Sequence, residues 1–378
     1  MKLVHLSDLH LGKRVNEFSM IEDQKYILKE ILTVIGKEQP DGVIVAGDVY
    51  DRSVPGEDAM MLWDDFLGTL ALQHIPVFAI SGNHDSAVRL SDHGRLVNAV
   101  GIYLSPVYNG ECACHTLTDE HGPVNIYLLP FVKPAHVRAF FPDEEIKDYT
   151  DACRVCVEHM NVDPSARNIL VAHQFVTGAV RCESEEIMVG GLDNVDASVF
   201  DVFDYVALGH IHGKQKIGRE TVRYCGTPLK YSFSEKDHKK SITIVEMGEK
   251  GDVKISERLL TPRHDLREIR GSYNDIMNKE NYEGTDTEDY VHVVLTDEED
   301  VIDAAAKIRT VYHNLMKLSY DNKRTASRTE ITGAEDVEKK SPLELFEEFY
   351  EKQNNQPMSD EQRTFVTECI EAVWKEHA

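Results

Sequence analysis

The chain opens with the mostly apolar run KLVHL (residues 2–6), which breaks abruptly into Ser7, Asp8 and His10. Behind it Ile27, Leu28, Ile31, Leu32 and Ile35 recur at helical spacing until Gly36 and Pro40 interrupt them. The pair then repeats. Val43 to Ala46 form a continuous apolar run that predicts a strand buried on both faces, ending at Gly47 and Asp48, and EDAMMLWDDFLGTLALQ predicts an amphipathic helix. IPVFAISGNHD empties into Gly82, Asn83, His84 and Asp85, NILVAHQFV carries His173, and YVALGHIHG ends in Gly209, His210, Ile211 and His212. Alternating strands and helices imply an α/β sheet. Ligands bind beyond the strand ends of such sheets, so these five loops are expected to converge.

The pattern changes after ERLLTPRHDLREIRGSY. Residues 264–320 predict one strand, YVHVVLTD, and one helix, EEDVIDAAAKIRTVYHNLM, capped by Thr296 or Asp297. Residues 321–340 lack an apolar face and read as a solvated linker. Two short helices follow, each opened by a capping box: Ser341-Pro342-Leu343-Glu344, and Ser359 to Gln362. The second carries Phe365, Val366, Cys369, Ile370, Val373 and Trp374 on one stripe. The domain organisation expected is therefore 1–263, 264–320, a linker over 321–340, and a helical segment over 341–378.

Composition narrows the class. With 42% hydrophobic and 28% charged residues, the 378-residue chain reads as an ordinary soluble globular protein. MKLVHLSD offers no signal-peptide core and no segment is long enough to span a bilayer, so the cytoplasm is expected. Seven scattered cysteines suit a reducing compartment. Cys153 and Cys156 fall on the apolar face of a predicted helix with no second pair at zinc spacing, and Cys112 and Cys114 alternate like strand residues. A formal charge of −25 excludes a surface that grips nucleic acid all round. Locally basic stretches remain at residues 12–14, 213–223 and 235–240, with Arg52, Arg89, Arg95, Lys214, Lys216 and Lys230 near the strand-end loops.

One histidine at a strand end is ordinarily a hydrogen-bonded core residue. Five such coincidences point to metal. Asp8, His10, Asp48, Asn83, His173, His210 and His212 supply mixed oxygen and imidazole donors, enough for two divalent ions when one carboxylate bridges them. The donor types fit Mn²⁺ well and admit Fe²⁺, Zn²⁺ or Mg²⁺.

SDLHLG, GDVYD, SGNHD, AHQF and GHIHG, in that order, resemble the five motifs of the calcineurin-like metallophosphoesterases. SDLHLGKR, GDVYDRSVP, SGNHDSAVRL and YCGTPLKYSFSE are similar to the nuclease subunits of bacterial SbcCD complexes, which process double-strand breaks, and this similarity runs along nearly the whole chain. The resemblance implies a β-sandwich flanked by helices (αββα), a small α+β capping domain that engages DNA or covers a sheet edge, and a C-terminal helical pair. It implies two manganese ions, with Asp8, His10 and His212 on one, Asn83, His173 and His210 on the other, and Asp48 between them. His84 is then no ligand but the candidate general acid for the departing 3′-oxygen, and Asp85 either orients its ring or caps the next helix. The implied activity is metal-dependent DNA cleavage: single strands internally and, with ATP and the SbcC ATPase, duplex ends 3′ to 5′, at ends, hairpins and breaks. The implied partners are SbcC, docked on the C-terminal helices, DNA, and a second copy of the chain in a heterotetramer. Such a protein would be cytoplasmic and nucleoid-associated. A small-molecule phosphodiesterase or phosphatase would use the same ligands, but has no use for the linker and tail. A non-catalytic scaffold would have lost ligands, and none is missing.

Overall fold

The computed structural model describes residues 1–185 and 194–322 and, beyond them, 343, 346, 347, 349, 350 and 358–376. The chain divides into two compact units, Met1–Arg267 and Glu268–Ala378.

In the first unit the apolar runs build two six-stranded sheets. One runs, edge to edge, Val253–Leu259, Ser241–Met247, Lys2–Leu6, Gly42–Ala46, Val77–Ile80 and Ile102–Leu104. The other runs Gln215–Ile217, Arg219–Tyr224, Tyr205–Gly209, Arg167–His173, Gly122–Leu129 and Ala113–Asp119. The central neighbours are parallel, as in the pairing of Val4 with Val43 and of Leu208 with Ala172; antiparallel strands finish both edges of the second sheet and one edge of the first, whose other edge, Ile102–Leu104, is parallel. Parallel strands need cover on both faces, and Val43 to Ala46 are wholly buried.

Leu3, Ile44, Phe78, Ile169, Val171 and Tyr205 belong to one core between the sheets. Each large aliphatic side chain withdrawn from water there contributes roughly 1.5–3 kcal/mol. The helices Ile21–Glu38 and Glu57–Leu72 connect successive parallel strands of the first sheet, and right-handed crossovers put both on its other face. Helix Tyr149–His159 buries Ala152, Cys153, Val155 and Cys156 in a core with Leu170 and Leu208 of the second sheet. The layers are helix, sheet, sheet, helix. Alternation alone suggested one sheet; instead three of the five motif strands lie in one sheet and two in the other.

The second unit departs from expectation in its sheet and in its helix. Its sheet has three strands, Leu266–Gly271, Tyr290–Leu295 and Leu315–Tyr320, where one was expected. The expected long helix contracts to Ala304–Ile308. Ile302 is 79% exposed, and Asp303 enters the left-handed region at φ 53°. Ala304, Ile308, Tyr312 and Leu315 do share one core, as their helical spacing suggested. A turn and a parallel strand deliver the last two, because Leu315 pairs with Val291. Asp297 caps no long helix; its carboxylate accepts the Tyr273 N–H at 2.8 Å.

Most of the expected linker, residues 323–340, lies outside the described residues, as do Ser341, Pro342 and Glu344 of the first capping box. The second box is formed: Ser359 N–H donates to Gln362 Oε1 at 3.0 Å and Gln362 N–H to Ser359 Oγ at 3.3 Å, opening helix Asp360–Glu376. Val373 and Trp374 of its stripe lie outside the described side chains.

Candidate metal centre

Four residues singled out from sequence adopt positive φ: Asp8 (53°), His10 (44°), Asp48 (49°) and His210 (106°). Each such conformation costs a non-glycine residue roughly 1–3 kcal/mol and persists only when its surroundings enforce it. Here neighbouring loops do so. Asp8 N–H donates to Gly47 O at 3.0 Å, His10 N–H to Asp48 O at 2.9 Å, and His210 N–H to Asp8 Oδ1 at 3.0 Å. Gln24, from the first helix, donates to His10 O at 2.7 Å and accepts Gly12 N–H at 2.9 Å.

These loops carry seven side chains to one place. Ligating atoms of Asp8, His10 and His212 lie within 4.8 Å of one another, as do those of Asp8, Asp48 and His173 and those of His10, Asp48 and His84. Asp48 Oδ2 is 3.3 Å from His173 Nε2 and 3.7 Å from His10 Nε2. Asn83 Oδ1 is 3.1 Å from His173 Nε2 and 3.0 Å from His210 Nδ1. Asp48 therefore stands between two sets, and each set mixes oxygen with imidazole nitrogen.

The donors fit divalent cations. His10 Nε2 faces His212 Nε2 at 3.1 Å, and His10 Nδ1 is buried without a hydrogen-bond partner among the described residues. Burial pushes the His10 and His212 imidazoles toward the neutral form, and burial together with His173 lowers His210 to about 3, leaving lone pairs available. Burial and the nearby Asp48 charge raise Asp8 to about 8, so its carboxylate needs a cation to stay ionised at neutral pH. Burial opposes charge on His173, but Asp48 overrides it and lifts the ring to about 9.

Glycines admit this crowding. A Cβ on Gly209 would meet the Ala46 carbonyl and His173 Nδ1 at once. Gly209→Ala is expected to destabilise the first unit by about 1–3 kcal/mol through overpacking. Gly36→Ala, in a helix with nothing within 4 Å, is expected to stabilise it by about 0.4–1 kcal/mol. Urea midpoints of the two variants should move in opposite directions.

Asp85 has another role than the two expected. Its carboxylate accepts backbone N–H groups of Gly82 (2.9 Å), Val49 (3.1 Å) and Tyr50 (2.9 Å), tying two strand-end loops together. The backbone carbonyl of Asp51 meets His84 Nδ1, at 3.1 Å, and the helix cap falls to Ser86. Sequence reading also missed Ser184, Glu185 and Glu235, which hold His212: Ser184 Oγ is 2.7 Å from its Nδ1 and Glu185 Oε1 accepts its N–H at 2.6 Å. All three sit outside the periodic apolar runs, so no periodicity marked them.

Comparison with known proteins agrees with this architecture. Residues 1–214 match the calcineurin-like phosphoesterase family, and residues 262–354 the type 5 capsule protein repressor C-terminal domain, SbcD_C. The SbcD subunit of the SbcCD nuclease of Staphylococcus epidermidis is 32% identical over 382 residues, covering 99% of both chains. Among solved structures, a dimetal phosphatase from Danio rerio aligns over 68% of this chain and 96% of its own, at 11% identity and a TM-score of 0.42. The E. coli phosphoesterase Yfce aligns over 65% and 88%, at 13% identity and a TM-score of 0.28. The full-length match and the two family matches carry the assignment: this chain belongs to the calcineurin-like phosphoesterases and, among them, to the SbcD nuclease family.

Proposed function

We propose that the chain is a divalent-metal-dependent DNA nuclease that cuts single strands internally and, with an SbcC-type ATPase and ATP, degrades duplex ends 3′ to 5′ at breaks and hairpins. The observation that carries this reading is the position of Asp48 between two mixed oxygen–imidazole donor sets; the family supplies the substrate class. Asp8, His10 and His212 would hold one ion and Asn83, His173 and His210 the other, with Asp48 shared. Mn²⁺ is the ion proposed, on donor type. Two such cations, when bound, neutralise a phosphate and lower the pKa of water.

The chain's own residues do the rest. His84 Nδ1–H donates to the Asp51 carbonyl, which turns Nε2 toward the centre, 4.0 Å from Asp48 Oδ2. From there a protonated ring can hand its proton to the departing 3′-oxygen. Asp85 supports this through backbone, by fixing the loop that carries both Asn83 and His84.

An acidic chain must meet DNA locally. Lys214, Lys216 and Lys230 are engaged by Glu257, Glu220 and Asp265. Arg89 and Arg95 are solvent-facing and would contact phosphates, and Arg52, also solvent-facing but 3.8 Å from Asp51 Oδ2, would join them. The ATPase and a second copy of the chain would supply the remaining contacts, and the second unit would act as the cap. Phe346, Phe349 and Phe365 are 41%, 59% and 67% exposed on the C-terminal segment, a face suited to the ATPase. Deleting residues 341–378 is expected to abolish co-purification with SbcC and to leave metal-dependent phosphodiesterase activity; a retained complex would refute this docking. Among the described residues no helix is long and apolar enough to cross a membrane, and the cytoplasm is the compartment proposed.

The substrate class is tested by assaying the purified protein with Mn²⁺ on single-stranded DNA and on a small phosphodiester, with and without SbcC and ATP. DNA cleavage is expected. Hydrolysis of the small diester alone, even with the partner present, would keep the metal centre and discard the nuclease reading.

A further inference from the structure

The segment YCGTPLKYSFSE (residues 224–235) supplies none of the seven proposed ligands, yet it closes around two of them. Tyr231 Oη donates to the Leu9 carbonyl at 2.6 Å and accepts from Gln24 Nε2 at 3.0 Å, with its ring edge-on to His10. Glu235 is fully buried and ion-paired with Lys240, which also donates to Thr227 Oγ1 at 2.6 Å and to the His212 carbonyl at 3.0 Å. Its other oxygen, Oε1, accepts the Ser184 hydroxyl at 2.6 Å.

That last bond fixes the direction of the next. A carboxylate only accepts, and Ser184 has one hydroxyl proton. The 2.7 Å contact between Ser184 Oγ and His212 Nδ1 must therefore be donated by the ring. A neutral imidazole protonated at Nδ1 carries its lone pair on Nε2, the atom that faces His10 Nε2 at 3.1 Å. Of the two histidines proposed for the other ion, His173 is held differently: its Nδ1 meets a backbone carbonyl, Ala46 O, at 2.8 Å.

We infer that Ser184 and Glu235 are positioning residues: a Glu235–Ser184–His212 hydrogen-bond chain fixes the tautomer and aim of His212 and so sets the affinity of one of the two metal sites independently of the other. This rests on the reading of His212 as a ligand. Metal-bound imidazoles ordinarily lean on a carboxylate or carbonyl through the second ring nitrogen, and removing such support weakens metal binding by about 10–100-fold. Here a serine hydroxyl stands between ring and carboxylate. Because Ser184 is partly exposed, truncating it removes the bond without opening a core cavity.

The test is Mn²⁺ titration of the full chain by calorimetry and electron paramagnetic resonance, comparing wild type with Ser184→Ala, Ser184→Thr and His212→Ala. Ser184→Ala is expected to weaken one of the two binding steps by about 10–100-fold and to leave the other unchanged. Ser184→Thr, which keeps the hydroxyl, should restore it to within a few fold. In the metal-free protein, ¹⁵N imidazole spectra should assign His212 as the Nδ1–H tautomer in wild type and as a mixture in Ser184→Ala. Two wild-type affinities in Ser184→Ala, with one step lost in His212→Ala, would overturn the inference while leaving the ligand assignment intact. Two wild-type affinities in His212→Ala would remove the ligand reading itself. Failure of Ser184→Thr to recover would also count against the hydroxyl relay.

Discussion

Asp48→Asn is expected to lower phosphodiester hydrolysis by about a thousandfold, the equivalent of roughly 4 kcal/mol of transition-state stabilisation, and to reduce bound metal from two ions to fewer than one per chain. The amide keeps the shape of the side chain and one oxygen, but loses the charge shared by both donor sets. Metal analysis alongside the rate separates this from misfolding. Full metal content with normal activity in the variant would show that Asp48 bridges nothing.

The metal-free protein provides an independent check through pH. Asp8 is raised to about 8 and His173 to about 9, both above their ordinary values of 3.8 and 6.5. In each case the native state binds more protons than the unfolded state between the two values, so stability falls as pH rises through that window. Metal-free protein should therefore lose stability from about pH 4 up to about pH 9 on account of these groups. Asp48→Asn removes the charge that lifts His173 and should flatten the upper part of that decline. Added Mn²⁺ should reverse the trend, because ligation requires Asp8 and His173 deprotonated. Urea unfolding at several pH values, with and without Mn²⁺, reads all three effects. Equal slopes in both conditions would argue against Asp8 and His173 as ligands.

His84→Ala is the second large effect: about 10²- to 10⁴-fold lower kcat, with both ions still bound. The geometry makes the metal measurement decisive. His84 shares a cluster with His10 and Asp48, so position alone would allow it to be a ligand. Its Nε2 is nevertheless 4.0 Å from Asp48 Oδ2, against 3.3 Å for His173, and its Nδ1 is held by the Asp51 carbonyl. Loss of an ion in His84→Ala would move it into the ligand set and leave the departing oxygen without this donor.

Much of the site was legible because burial and chemistry coincide at strand ends. An apolar run that stops at Asp48 or His210 announces both a parallel strand and what it presents. Periodicity says that a residue is buried without saying beside what, so the division of the five strands between two sheets rested on resemblance. The same ambiguity hid the strand Leu315–Tyr320: Ala304, Ile308, Tyr312 and Leu315 keep a helical rhythm whether helix, turn or strand delivers them. The supports of the site were less visible still. Asp85 works by accepting three backbone amides, and Ser184 and Glu235 meet His212 across intervals of 28 and 23 residues, so only a folded chain reveals them.

The position of the first strand bears on synthesis at the ribosome. Lys2–Leu6 lies between Gly42–Ala46 and Ser241–Met247, and a partner on one flank is therefore encoded some 240 residues later. At roughly 5–20 residues per second, the nascent strand waits on the order of 10–50 s with that flank open. His210 and His212 emerge only shortly before that partner strand. The growing chain therefore carries an unzipped β-edge through most of its translation, and the proposed metal centre lacks His210 and His212 until nearly the whole first unit has been made.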